Sequence, residues 1–133
     1  MSKSLSGHYR LVTGLLTVGA VTAAAAAGWA LRRVGRVEVD GDSMRPTLLP
    51  GDRLVVLAGR RARVGDLVTL PDPRSHDRIV VKRVTGVAGG TVEVRGDNPD
   101  ASTDSRVFGP VPAASIGGRV VYRYLPVARQ GRP

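Results

Sequence analysis

The runs GDSMRPTLLPGD (Gly41–Asp52) and RIVVKRVTGVAGGTVEV (Arg78–Val94) decide how this chain folds and what chemistry it carries. In the second, branched aliphatics alternate with polar residues on both sides of Gly89-Gly90, a pair that adopts positive φ easily, so the run reads as a β-hairpin. Short valine-rich runs bounded by Gly, Pro and Asp clusters also occupy Val37–Val39, Arg53–Leu57, Asp66–Leu70, Arg78–Val87, Thr91–Arg95 and Arg119–Leu125. No amphipathic helical period separates them, so residues 37–127 are expected to form one all-β domain. Pro71–Asp77 (PDPRSHD) reads as a polar loop and residues 128–133 as a frayed tail.

Residues 1–36 differ in kind. Leu11–Leu31 holds 21 residues without a formal charge, long enough to cross a hydrocarbon core as a single transmembrane helix, with Trp29 placed as an interfacial anchor. A cleavable signal peptide is the alternative, with Lys3 and Arg10 as its positive region and the small residues Ala23–Ala27 for cleavage. A buried core helix is the third reading, but a domain this small would hardly enclose it.

Of the formal charge of +9, residues 1–36 contribute Lys3, Arg10, Arg32, Arg33 and Arg36 with no acid, which suits anionic lipid headgroups. Nucleic acid is the rival partner for a basic chain. The only aromatics are Tyr9, Trp29, Phe108, Tyr122 and Tyr124, none interleaved with a basic patch, so a base-stacking platform is not expected. The absence of cysteine excludes disulfides and thiolate chemistry, and the two histidines, His8 and His76, support neither a multi-histidine metal site nor a Ser-His-Asp triad.

What remains is a serine in a turn and a lysine in a strand. A serine hydroxyl is a weak nucleophile at neutral pH and needs a base within hydrogen-bond reach. Lysine serves if its pKa falls from about 10.4 toward about 7–8, and desolvation by apolar neighbours is the usual route. Period-two alternation puts Val80, Lys82 and Val84 on one strand face, which surrounds Lys82 with valines. Taken alone, each residue has a plainer role: Ser43 as turn chemistry, Lys82 as a strand lysine with its ammonium in water. Asp97–Arg106, taken alone, is a solvated acidic loop whose spacing does not fit a calcium-binding loop.

Together the motifs resemble the type I signal peptidase (leader peptidase) family. Ser43, Met44, Pro46, Thr47 and Leu48 match its Ser-Met-x-Pro-Thr-Leu run, followed by Gly51 and Asp52. Lys82, Arg83, Val84 and Gly86 match its lysine run, and Gly96, Asp97, Asn98, Ser102, Asp104, Ser105, Arg106, Phe108 and Gly109 match its third motif. The resemblance implies a signal-peptidase-like catalytic β-domain after one N-terminal transmembrane helix. Ser43 would be the nucleophile, Lys82 the general base, Ser102 the residue orienting the lysine amine, and Asp104 and Arg106 a supporting ion pair. Gly41 stands where some members carry a hydroxyl donor, so the Ser43 N–H beside Met44 is the one oxyanion donor assigned and the second stays open.

The implied activity is membrane-anchored serine endopeptidase action on precursor proteins bearing a leader or signal peptide, after a small-x-small sequence such as Ala-x-Ala. It requires the lipid bilayer as a partner and no nucleic acid, metal or organic cofactor. Family precedent puts the domain outside the cytoplasm, whereas Arg32, Arg33 and Arg36 after the apolar run favour the opposite orientation. The small size and the run VEVDGDSM also resemble the compact proteases that mature nickel-type superoxide dismutase by removing a leader, which implies as the alternative a maturation protease for a cytoplasmic proprotein. The self-cleaving repressors share the Ser-Lys pair, but no helix-turn-helix segment precedes the domain here. A noncatalytic membrane-associated binding module is the reading from another class, and it gives no chemical reason to keep Ser43, Lys82 and Ser102 together.

Overall fold

A computed structural model describes residues 20–28 and 33–133 of the chain. Residues 20–28 are helical, and the remainder of the expected anchor over Leu11–Leu31 lies outside the described residues. Among the described residues no helix is long and apolar enough to cross a membrane.

Residues 33–133 build a mostly antiparallel β-structure from seven strands: β1 (Val34–Glu38), β2 (Arg53–Leu57), β3 (Leu67–Asp72), β4 (Ser75–Ala88), β5 (Thr91–Arg95), β6 (Val111–Pro112) and β7 (Gly118–Leu125). Their order across the sheet is β1-β2-β7-β3-β4-β5-β6, with every pairing antiparallel. The β4–β5 hairpin closes as expected through Gly89 (φ 59°) and Gly90 (φ 79°), with Ala88 facing Thr91. Positive φ at both turn residues matches the right-handed twist of the flanking strands.

Side-chain alternation feeds two apolar clusters. Leu67 and Val81 join Met44, Leu48, Leu54 and Val56 in one, while Val68, Leu70 and Val84 join Val92 and Val94 in the other. Consecutive residues of β3 thus point to opposite faces, as the pleat requires.

Four expectations need correction. The loop expected at Pro71–Asp77 is largely strand: β3 runs through Asp72, β4 begins at Ser75, and only Pro73 and Arg74 turn. Asp72 closes that turn by accepting from the backbone N–H of Arg74 at 2.9 Å and from its guanidinium at 3.1 Å and 3.2 Å. The flanking residues Ser75–Arg78 are exposed, so no apolar alternation marked the strand. β1 spans Val34–Glu38 rather than Val37–Val39, because an edge strand is fixed by backbone pairing with β2 and not by a buried face. A short helix at Ser105–Phe108 was not expected; Asp104 caps it by accepting from Arg106 N. Residues 128–133, expected to fray, are tied down: Gly131 and Arg123 exchange backbone hydrogen bonds of 2.7 Å and 3.1 Å.

β7 lies against β2 closely enough to demand glycine at its first position. A Cβ on Gly118 would sit 2.6 Å from Val56 Cγ1 and 2.8 Å from the Leu57 carbonyl oxygen, and the backbone carbonyl cannot move aside. Gly118→Ala is therefore expected to lower stability by about 1–3 kcal/mol, the usual range for overpacking. Urea unfolding checks this, and an unchanged midpoint would contradict the close approach.

Candidate active site

Gly41–Asp52 leaves β1 and returns to β2 as a closed loop. Its base is pinched by Val39 N to Asp52 O at 2.8 Å and Gly51 N to Val39 O at 2.9 Å. Met44 and Leu48 plug the loop into the core at 2% and 0% exposure, one helical turn apart, with Leu48 N donating to Met44 O at 3.0 Å. Burial of two such side chains stabilises by about 1.5–3 kcal/mol each, against about 1 kcal/mol for a typical hydrogen bond. The apolar pair therefore holds the loop, and its polar contacts set direction.

Those polar contacts lead to the loop after β5. Asn98 N donates to Ser43 O at 2.9 Å, and Asn98 Nδ2 donates to Asp42 O at 3.0 Å. Thr47 Oγ1 donates to Asp97 at 2.6 Å, and Asp97 takes two hydrogen bonds of 2.8 Å from Arg83. The Arg83 guanidinium, then its hydrogen bond from Thr47, outweigh burial and lower the Asp97 carboxyl below its ordinary range. Arg83 adjoins Lys82, so this chain of contacts couples the serine loop to the lysine strand. Asp42 also pairs with Arg45 in the loop, and Gly41 enters it with φ 84°.

Lys82 is only 3% exposed, on the face it shares with Val84, and its register partner on β3 is Val68, which is fully buried. Its ammonium end donates to Ser102 Oγ at 3.0 Å. Ser102 Oγ in turn donates to Asp104 Oδ2 at 2.7 Å, so its lone pairs face the lysine. Asp104 also accepts from Gly96 N at 2.9 Å and from the Arg106 guanidinium at 2.6 Å and 2.9 Å. Burial opposes the Asp104 charge, but the hydrogen bonds from Arg106, Gly96 and Ser102 prevail and hold its carboxyl far below the usual range. Burial pushes the Lys82 amine down, against the pull of the Asp104 carboxylate, and Arg74 and Arg78 add to the downward push.

Gly96 is the contact point of the two loops. A Cβ there would lie 2.2 Å from Ser102 Oγ and 2.6 Å from Ser43 O, so only glycine permits this approach.

Ser43 and Lys82 line one cavity of about 200 Å³, with Met44, Val80, Ala101 and Thr103 among its walls. No direct hydrogen bond joins Ser43 to Lys82 among the described residues; Lys82 turns to Ser102 instead. The Ser43 backbone N–H makes no hydrogen bond within the described residues. The cavity is flanked by β1 and by the Arg78–Val81 half of β4, which β5 leaves uncovered because their pairing begins at Arg83. His76 lies on the exposed start of β4, outside the cavity walls.

The sequence motifs contained Thr47, Arg83, Gly96 and Asp97 but gave them no role. Asp52, Arg123 and Arg129, which meet beneath the serine loop, carried no signal beyond the Gly-Asp pair.

A small antiparallel β-domain thus puts a serine loop and a buried strand lysine on one cavity, with the lysine amine backed by a hydroxyl that donates to a buried carboxylate. The family described as "Signal peptidase, peptidase S26" matches residues 11–97 and 90–125, and the chain belongs to it. Among similar proteins, the mitochondrial ATP-independent inner membrane protease subunit 1a of Arabidopsis thaliana is 36% identical over 120 residues, spanning 70% of this chain and 71% of that protein. The human mitochondrial inner membrane protease subunit 1 is 31% identical over 123 residues, 73% of each chain. A probable signal peptidase I-1 of Synechocystis is 28% identical over 142 residues, covering 71% of this chain and 72% of that one.

The opposed effects on Lys82 give a signed expectation. Its Nζ should titrate below the ordinary lysine range near about 10.4, and Asp104→Asn should lower it further by removing the carboxylate that raises it. Nitrogen-detected NMR of labelled lysine follows both. A rise in Asp104→Asn would show that the carboxylate acts on Lys82 chiefly by some other route.

Proposed function

We propose that this chain is a membrane-anchored serine endopeptidase of the Ser-Lys type that removes leader or signal peptides from precursor proteins. The observation that carries the reading is the Asp104–Ser102–Lys82 hydrogen-bond chain ending in the cavity that Ser43 also lines.

The Ser102 hydroxyl is committed to Asp104, so it accepts one Lys82 N–H and leaves the lone pair of a neutral amine free for the Ser43 proton. Ser43 Oγ attacks the scissile carbonyl while Lys82 takes its proton, forming a tetrahedral oxyanion. The Ser43 N–H is available as a donor to that oxyanion. Collapse expels the amine product, which takes the proton from Lys82 and leaves an ester on Ser43. Lys82 then deprotonates water, which attacks the ester, and its return of the proton to Ser43 frees the second product.

The uncovered edges of β1 and β4 offer backbone donors and acceptors to an extended precursor segment laid through the cavity. The small volume beside Met44 suits small side chains next to the cleaved bond, as in Ala-x-Ala.

Membrane attachment rests on the apolar run Leu11–Leu31 and on relatives named as inner membrane proteases. On this reading, which follows the precedent of the family, the catalytic domain lies outside the cytoplasm. Addition of external protease to intact expressing cells or spheroplasts should remove a tag placed after Pro133, and a tag protected until lysis would reverse the orientation.

Ser43→Ala should abolish cleavage of an Ala-x-Ala peptide with a stability change within about 0.5 kcal/mol, because the half-buried hydroxyl faces the cavity and removing it breaks no hydrogen bond within the described residues. Lys82→Arg should be inactive because guanidinium stays protonated, and Ser102→Ala should be impaired less. Wild-type activity should rise with pH through the depressed Lys82 value, since only the neutral amine accepts the proton. Near-normal turnover by Lys82→Arg would reject the Ser-Lys mechanism.

A further inference from the structure

Asp52 is a buried carboxylate at 1% exposure that the mechanism does not use. It accepts from Arg129 Nη1 at 2.9 Å, from Arg123 Nη1 at 3.4 Å and from Leu49 N at 2.9 Å. The same guanidinium groups reach the serine loop directly: the Thr47 carbonyl accepts from Arg123 at 3.0 Å and from Arg129 at 3.3 Å.

Arg129 reaches this place because the segment after β7 folds back. The turn Val127–Arg129 is seated by the Gly131–Arg123 backbone pair, by Gln130 Nε2 donating to Tyr124 O at 3.0 Å, and by Arg123 Nε donating to Arg129 O at 2.5 Å.

We propose that Arg129 is a positioning residue for Ser43, acting through the Thr47 carbonyl and the Asp52 carboxylate. The inference rests on Ser43 being the nucleophile. The serine loop has no regular secondary structure between Gly41 and Pro50, so its placement follows from what grips it. Thr47 is gripped from both sides. Its hydroxyl is tied through Asp97 to Arg83, beside Lys82, and its carbonyl is tied to Arg129 and Arg123. The first grip draws the loop toward the lysine strand, and the second anchors it to β7 and the segment behind it. Their balance sets where Ser43, four residues upstream, meets the base.

Removing Arg129 alone leaves Asp52 paired with Arg123, so the buried charge keeps a partner and the domain keeps its fold. The Asp104–Ser102–Lys82 chain makes no contact with Arg129, so the protonation of Lys82 is untouched. A displacement of the nucleophile then appears in kcat, and neither in KM nor in the pH midpoint.

Wild type, Ser43→Ala, Arg129→Gln and Arg129→Lys should be compared for cleavage of a fluorogenic Ala-x-Ala peptide, with circular dichroism as the folding control. For Arg129→Gln the expected result is a fall in kcat of about tenfold or more, within the range seen when a reacting group is misplaced. KM and the pH midpoint should match wild type, and Arg129→Lys should be intermediate because an ammonium reaches one acceptor rather than both. Unchanged kcat in folded Arg129→Gln overturns the proposal, as does an equal fall accompanied by a moved pH midpoint. If Arg129→Gln does not fold, Arg129→Lys decides on the same criteria. Cleavage that persists in Ser43→Ala rejects the nucleophile itself, and is thereby told apart from a failure of the positioning role.

Discussion

The carboxylate of Asp104 has no exposed surface and is surrounded by donors, and the arrangement of the site follows from that constraint. A buried charge is tolerated only when its lone pairs are satisfied. Here Arg106 neutralises it, Gly96 N fixes the end of β5 against it, and Ser102 is forced to spend its proton on it. The consequence is directional: a hydroxyl that donates to Asp104 must accept from Lys82. The lysine end is thus aimed by a group it never touches.

The same carboxylate opposes the effect of burial on the lysine it aims. Burial among Val68 and Val84 favours a neutral Lys82, whereas the charge of Asp104 favours a protonated one. Burial prevails, and the geometry accounts for it: Ser102 stands between amine and carboxylate, and Arg106 covers the carboxylate from outside. A direct Lys82–Asp104 ion pair would hold the amine protonated. The interposed serine transmits orientation while weakening the charge, so a hydroxyl serves better here than a second carboxylate.

Legibility of the fold and site from sequence followed the physics of each element. The β4–β5 hairpin and the core strands were readable because a buried face imposes alternation and a two-residue turn imposes Gly89-Gly90. β1, the start of β4 and the two-residue β6 were missed or misplaced, since pairing through the backbone with exposed side chains leaves no pattern in composition. For the site, Lys82 could be placed on an apolar face from period two alone. Its hydrogen bond to Ser102 was legible only through the family resemblance and not from the pattern, because those residues are separated by a hairpin and a loop whose folding back depends on Gly96. Arg129 was illegible for a similar reason. A short basic run near β7 looks solvated until a buried acid is seen across from it.

A domain of this size has little core to spare, yet it must fix loop-borne groups relative to one another. It does so by separating two tasks. Apolar anchors hold each loop to the sheet, as Met44 and Leu48 do for the serine loop, with non-directional force. Charged hydrogen-bond chains then set direction: Asp97 with Arg83 and Thr47, Asp104 with Arg106 and Ser102, Asp52 with Arg123 and Arg129. In each, an acid near or beneath a loop is answered by arginine rather than lysine, whose forked, permanently charged head serves more than one acceptor. Lys82, by contrast, is held by a hydroxyl instead of an acid, which leaves its amine able to lose a proton. The division of labour between arginine and lysine follows from their chemistry: the permanently charged guanidinium groups carry the framework, and the buried amine of Lys82, whose ionisation burial disfavours, is kept out of it.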